Sequence, residues 1–258
     1  MPKGGGPSRY GFGRPRPGWR LRPKLRYTLG MDLVSRRFLP LLLVLLLSAC
    51  VFGGGDKDKR PPRPRGSGPI TLTGPTPADT RQCYADLSRA GVRFSPLPDR
   101  DYGGGCQVLG AVQLLDFGTP TSGLKAIRCP TARAFVGWVQ HGVGPAARQI
   151  LGSNVVRIES YGSYVCRGIV GQGAAGSAKL SEHGLANAID VGGFVLADGR
   201  RISIEQGWQS RDPAVQQFLQ IVRRSACRRF RTVLSPDYNA AHYNHLHFDM
   251  GGRGGYCR

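Results

Sequence analysis

From residue 78 onward the apolar positions fall into helical and strand periods that alternate along the chain. Cys83, Leu87 and Ala90 recur at helical spacing within TPADTRQCYADLSRAGV, where Thr76 or Asp79 can cap the start and Gly91 ends the run. CQVLGAVQLLDFG predicts one or two strands. CPTARAFVGWVQHGVGPAARQIL predicts a second helix with Pro130 in its first turn and Ala134, Trp138 and His141 near one stripe. NVVRIESYGSYVCRGI alternates as strands do, with turn residues at Tyr161 to Ser163, and GQGAAGSAKLSEHG reads as a glycine-rich loop. ANAIDVGGFVLADGRRISI predicts a hairpin around Asp198-Gly199. A helix opening at Pro213 follows, with the stripe Val215, Phe218, Leu219 and Val222, and RTVLSPDYNAAHYNHLHFD supplies two strands about a Pro-Asp turn. The expected fold is α+β, a mainly antiparallel sheet carrying the candidate site with helices packed on one side.

Upstream the pattern changes. Residues 1–30 hold eight basic and no acidic side chains among many Gly and Pro, so they build no core and read as a mis-called start or a disordered basic extension. Arg36 and Arg37 precede the apolar run Phe38 to Leu47, too short for a bilayer span of ~20 residues but suited to a signal peptide over 31–50. The run ends in LSAC, a lipoprotein box that would place a lipid on Cys50; the duller reading is a secretory signal with a chance cysteine. Residues 51–77 are a Pro/Gly-rich tether, and 78–258 are long enough for one domain with its own core. Of the formal charge of +20, +12 falls on residues 1–66, so the basic balance belongs to leader and tether and gives no reason to expect a nucleic-acid partner. The expected location is the exported bacterial cell envelope, lipid-anchored to a membrane, on its periplasmic face.

Six further cysteines, Cys83, Cys106, Cys129, Cys166, Cys227 and Cys257, form no C-x-x-C pair, and in an exported chain their even number points to three disulfides. Of the fifteen connectivities possible, the expectation is Cys83 with Cys106, Cys129 with Cys166 and Cys227 with Cys257.

The candidate chemistry lies in the histidines. HYNHLHFD carries three of the chain's five, and as a strand it turns His245, His247 and Asp249 to one face and Leu246 and Phe248 to the other. Alone, an HxH pair is as readily a hydrogen-bonded pair on a solvated strand. SEHGLANAID, upstream, adds His183 seven residues before Asp190. His183, Asp190 and His247 would give Zn2+ two nitrogens and one oxygen and leave a fourth position open, the pattern of a catalytic site. His141 stands apart and reads as a helix-surface or packing histidine.

H-x6-D followed by HxH resembles the zinc signature of the metallopeptidase group containing lysostaphin, the D-alanyl-D-alanine carboxypeptidases and the Hedgehog signalling domain. SEHGLANAID is similar to the carboxypeptidase form S-x-H-x-x-G-x-A-x-D, with Ala186 in place of the glycine, and His242, His245 and His247 resemble the penicillin-insensitive murein endopeptidases more closely. The carboxypeptidases have a catalytic Glu where this chain has Asn244. Over about residues 79–250 the order SYVCRG, LSEHGLANAID, TVLSPDYNAAHYNHLHFD is similar to the bacterial extensin-like C-terminal domain family.

The resemblance implies a zinc peptidase or amidase working on peptidoglycan peptides. His245 would act on the water's proton or on the tetrahedral intermediate, His242 as leaving-group acid or supporting partner, and Arg167 on an oxyanion or substrate carboxylate, with a surface salt bridge as Arg167's bland alternative. Glu182 reads as a solvated acid. A zinc-stabilised module that binds cell-wall polymer without turnover, and a purely structural lipoprotein, are the alternatives from other classes.

Overall fold

The computed structural model describes residues 74–258. The expected leader, Cys50 and most of the tether lie outside the described residues. Helix α1 (Pro77–Arg89) starts from a capping box in which the Asp79 amide donates to the Thr76 hydroxyl at 3.1 Å while the Asp79 carboxylate accepts from the Thr76 amide at 3.3 Å. There follow β1 (Arg93–Pro96), β2 (Arg100–Asp101), β3 (Gln107–Val108), β4 (Ala111–Asp116), β5 (Thr121–Ser122) and β6 (Ile127–Arg128). β1, β4 and β6 form a small antiparallel sheet, and β2 and β3 a separate ribbon. α2 (Cys129–Trp138), with Pro130 in its first turn as expected, continues through wider helical turns to Leu151, where Gly152 adopts a left-handed conformation.

The second half builds the main sheet. β7 (Val155–Gly162) is followed by the short helix α3 (Gly173–Ser177), β8 (Ala188–Leu196), β9 (Arg201–Ser203), the single-turn α4 (Ile204–Gly207) and α5 (Pro213–Cys227). β10 (Thr232–Leu234), β11 (Leu246–Asp249) and β12 (Tyr256–Cys257) complete it. The strand order is β12-β10-β11-β8-β7-β5, with β9 also paired to β8; β12 with β10 and β5 with β7 are parallel, and the other pairs antiparallel. The chain is thus a mixed α+β fold with several sheets.

Strand alternation decides what each face does. Ile189 and Val191 of β8 and Leu246 and Phe248 of β11 are wholly buried beneath α2 and α5. There Trp138 meets Phe248 edge-on at 4.9 Å between ring centroids, Phe218 meets Phe194 at 5.2 Å, and the Trp138 indole N–H donates to the Val222 carbonyl at 2.9 Å. Each such side chain contributes ~1.5–3 kcal/mol by leaving water, so the register of β11 on β8 is held by its apolar side. The polar residues between, Asp190, His247 and Asp249, are thereby fixed on the other face.

Two expectations are corrected. The disulfides are Cys83–Cys129, Cys106–Cys166 and Cys227–Cys257, so only the last expected pair stands. Cys129 opens α2, against which α1 packs, bringing Cys83 to Cys129, while the segment after β7 meets the loop between β2 and β3, with the Tyr164 and Tyr102 rings 5.3 Å apart, and brings Cys166 to Cys106. Of the turn residues expected at Tyr161 to Ser163, Tyr161 and Gly162 are instead the irregular end of β7, whose register shifts at Glu159/Ser160 and Ser160/Gly162, and the chain bends away at Ser163. Among the described residues no helix is long and apolar enough to cross a membrane.

Candidate metal centre and its cleft

Antiparallel pairing sets His247 of β11 directly opposite Asp190 of β8. His183 reaches the same point from the 3-10 turn Glu182–Leu185, whose first turn is capped by the Ser181 hydroxyl accepting from the His183 amide at 3.3 Å. His183 Nε2 lies 3.1 Å from Asp190 Oδ2 and 3.2 Å from His247 Nδ1, and His247 Nδ1 lies 2.8 Å from Asp190 Oδ1. A tetrahedral ion with bonds of ~2.0–2.1 Å spaces its ligand atoms by roughly 3.3–3.4 Å. The three groups can hold a metal ion with little rearrangement.

The outer hydrogen bonds sharpen this. His183 Nδ1 donates to the Ser163 carbonyl at 3.1 Å, and His247 Nε2 to the Asp249 carboxylate at 2.9 Å. A neutral imidazole carries one N–H, so in the neutral forms His183 Nε2 and His247 Nδ1 both turn lone pairs toward the Asp190 carboxylate. Two lone pairs and an anion meeting at about 3 Å in a buried place repel one another unless a cation or added protons stand between them. Carboxylate or carbonyl support behind each imidazole is the usual surrounding of a metal ligand.

The protonation energetics agree. Burial acts to raise the Asp190 carboxyl, but hydrogen bonds from His183 and His247 more than offset it and hold Asp190 well below the usual range. Burial likewise opposes the charged form of His247, yet Asp190 and Asp249 raise it to about 9. In the metal-free chain a proton on His247 therefore occupies the position that suits a cation.

His245 and His242 approach from the segment entering β11. His245 Nδ1 is 2.9 Å from the Asn244 amide oxygen, and its Nε2 is 3.5 Å from Asp190 Oδ1. His242 Nδ1 is 2.7 Å from the Asn239 amide oxygen. Burial lowers both, with the charges of His245 and His247 helping to bring His242 to about 4. All these histidines except His183 border a cleft of about 520 Å³, lined also by Arg167, Glu182 and Tyr238.

Arg167 is fixed through its backbone. Cys166 is bound to Cys106, the Arg167 carbonyl accepts from the Ser181 amide at 3.1 Å, and Gly168 bridges to Leu180. Its guanidinium donates to the Gly168 carbonyl at 3.2 Å and makes no ion pair with a carboxylate among the described residues.

A family model described as Extensin-like protein C-terminus matches residues 81–258. The chain belongs to this family. No curated protein and no solved structure matches it. The matched span of the extensin-like domain contains Arg167, His183, Asp190, His242, His245, His247 and the six paired cysteines.

Within the extensin-like domain the sequence reading missed several supports. Strand alternation puts Asp249 on the face of His247 but assigns it no role; it holds His247 Nε2 at 2.9 Å. The Ser163 carbonyl left no side-chain signal. Glu182 is corrected: it is half-buried at the cleft wall and accepts from the Asn187 amide at 2.6 Å, with burial raising its carboxyl and that hydrogen bond opposing. His141 is exposed on the helical turns after α2 and takes no part in the site.

Proposed function

We propose that the chain is an envelope-tethered, zinc-dependent peptidase or amidase acting on peptidoglycan peptides. The observation that carries the reading is the convergence of His183 Nε2, the Asp190 carboxylate and His247 Nδ1, with His247 at the wall of a cleft lined also by two further histidines and a fixed arginine. A zinc ion bound there supplies a Lewis acid for a carbonyl oxygen and lowers the pKa of a water toward neutrality. The chain's own groups do the rest. His245, pinned by Asn244, keeps Nε2 free to take and return a proton. His242, pinned by Asn239 and already lowered to about 4, is lowered further by a nearby cation, which favours a hydrogen-bonding role over that of an acid. Arg167 presents a guanidinium that pairs with no carboxylate among the described residues to a substrate carboxylate or a developing oxyanion. Export, lipidation at Cys50 and attachment to a membrane belong to the same proposal and rest on the LSAC box.

A second reading is a zinc-stabilised module that binds cell-wall polymer without turnover. It is favoured by Asn244, which stands where the resembled carboxypeptidases carry a glutamate base. One purified sample separates the two: zinc content by metal analysis and digestion of a panel of peptidoglycan-derived peptides. One equivalent of zinc with cleavage supports the enzyme, zinc without cleavage leaves the binding module, and a protein that takes up no zinc sinks both.

A further inference from the structure

Besides its histidines, the 520 Å³ cleft is lined by three charged side chains, Arg167, Glu182 and Asp249. Asp249 is fully engaged: Oδ2 accepts from His247 Nε2 at 2.9 Å and Oδ1 from the Gly251 amide at 2.8 Å. A divalent ion at the candidate metal site would carry two positive charges, which the Asp190 and Asp249 carboxylates offset. The charges left over in the cleft are then one cation, Arg167, and one anion, Glu182.

The two are neighbours kept apart. The Ser181 amide, one residue before Glu182, donates to the Arg167 carbonyl at 3.1 Å, yet the two side chains form no ion pair. Glu182 is held from the other side. The Thr131 hydroxyl donates to Asn187 Oδ1 at 2.8 Å, which orients the buried amide so that its Nδ2 donates to Glu182 Oε2 at 2.6 Å. The carboxylate lies over Gly251, where an added Cβ would fall 2.1 Å from Oε1. Oε1 itself receives no hydrogen bond among the described residues, and Arg128, which does not line the cleft, acts on Glu182 only through space. Arg167 likewise has donors to spare beyond its one bond to the Gly168 carbonyl. A half-buried charge with unmet hydrogen-bonding capacity gains more from a charged partner than one in open water does.

The rest of the lining narrows the ligand. Ile169, Leu180, Leu234 and Ala241 give the cleft an apolar wall. A ligand with a single charge would leave either Arg167 or Glu182 uncompensated, and an apolar one would strip water from both. Methylenes ending in an ammonium, on a residue that also carries a carboxylate, satisfy the guanidinium, the Glu182 carboxylate and the apolar wall together.

We propose that Glu182 is a specificity residue of the cleft and receives the side-chain ammonium of a diamino-acid residue whose carboxylate Arg167 holds. This deepens the peptidase reading and rests on it only for the peptide nature of the ligand. The site then takes peptides in which that amine is free and disfavours those in which it is already joined in an amide.

The test uses the full chain loaded with zinc. The tripeptide L-Ala-γ-D-Glu-L-Lys is titrated by calorimetry beside the same tripeptide acetylated on the lysine side chain. Wild type is expected to bind the free amine about tenfold more tightly. Glu182→Gln keeps an oxygen to which Asn187 can donate and loses the charge, so it is expected to bring the two affinities together with zinc content unchanged. Arg167→Gln is expected to weaken both peptides by a similar factor. Equal affinity of wild type for the two peptides, or binding of neither, overturns the role of Glu182, and that comparison decides alone if Glu182→Gln does not fold. Equal weakening of both peptides in Glu182→Gln also overturns it, because the residue would then only brace the His183 turn. Unchanged affinity in Arg167→Gln overturns the placing of the carboxylate. A preference for the free amine with no cleavage of any peptide leaves Glu182 in its role and removes the enzyme reading.

Discussion

His247 gives Nε2 to the Asp249 carboxylate at 2.9 Å and turns Nδ1 toward Asp190 at 2.8 Å, so one carboxylate decides which nitrogen faces the candidate metal site. The two residues lie two apart on β11, on the face turned away from the core. Asp249→Asn keeps the shape but removes the charge that makes His247 a strong donor of electrons. It is expected to lower zinc affinity by ~10–100-fold, measured by chelator competition, with an unchanged circular dichroism spectrum. Unaltered affinity would mean that Asp249 does not tune the ligand.

The metal-free chain should show opposite pH limits from two histidines. His247 is raised to about 9 from an ordinary 6.5, so its contribution to stability is complete below ~6.5 and is lost as pH rises through about 9. His242 is lowered to about 4, so its contribution is complete above ~6.5 and is lost as pH falls toward about 4. Melting temperature in a chelator is thus expected to peak between these limits. Zinc must displace the His247 proton, so its stabilising effect should widen from pH ~6.5 to ~9. Melts with and without zinc across this range test both, and a constant difference would show that no His247 proton is displaced.

The Cys106–Cys166 bond closes a separation of 60 residues and holds the segment that carries Arg167. Replacing both cysteines by serine is expected to lower stability by ~2–4 kcal/mol in denaturant unfolding. Zinc content should stay the same, since Asp190 and His247 are held by β8 and β11 and His183 also by its Ser181-capped 3-10 turn. Peptide mapping without reduction should recover Cys83–Cys129, Cys106–Cys166 and Cys227–Cys257; recovery of Cys83–Cys106 would contradict the packing of α1 on α2.

What the sequence revealed and what it hid follow from the range of each interaction. The alternation of HLHFD is local, so the split between Leu246 and Phe248 on one face and His247 and Asp249 on the other was legible. The helix at Pro213 was legible too, because Asp212 caps it and Val215, Phe218, Leu219 and Val222 keep helical spacing. Disulfide partners depend on which elements pack together, which six cysteine positions do not encode. Glu182 is not the solvated acid expected, because a 3-10 turn, with its period of three, turns the carboxylate to Asn187, and that turn is not legible from SEHGLAN. Ala186, where the resembled motif has glycine, is the non-glycine residue with positive φ among those described, at 51°. An alanine there costs roughly 1–2 kcal/mol, which explains the glycine of the motif, though neither the conformation nor the Arg128 amide that donates to the Ala186 carbonyl at 2.7 Å was readable beforehand.

The separation of ligand from catalyst tests the enzyme reading most directly. His245 and His247 are two residues apart, and both have a nitrogen near Asp190, at 3.5 Å and 2.8 Å. Only His247 has its far nitrogen held by a carboxylate; His245 is held by the neutral Asn244 amide and lies 13% exposed at the cleft. The first is the environment of a ligand that must stay in place, the second that of a base that must exchange protons with substrate and water. Loss of one ligand of three should strip the metal, so His247→Ala and Asp190→Ala are expected to abolish stoichiometric zinc. His245→Ala is expected to retain zinc and to lose peptide cleavage by at least ~100-fold, the span usual for a general acid or base. Metal analysis of the three variants beside wild type, together with cleavage rates, reads both effects. Loss of zinc in His245→Ala would overturn the ligand assignment, and full activity in that variant would remove His245 from the mechanism.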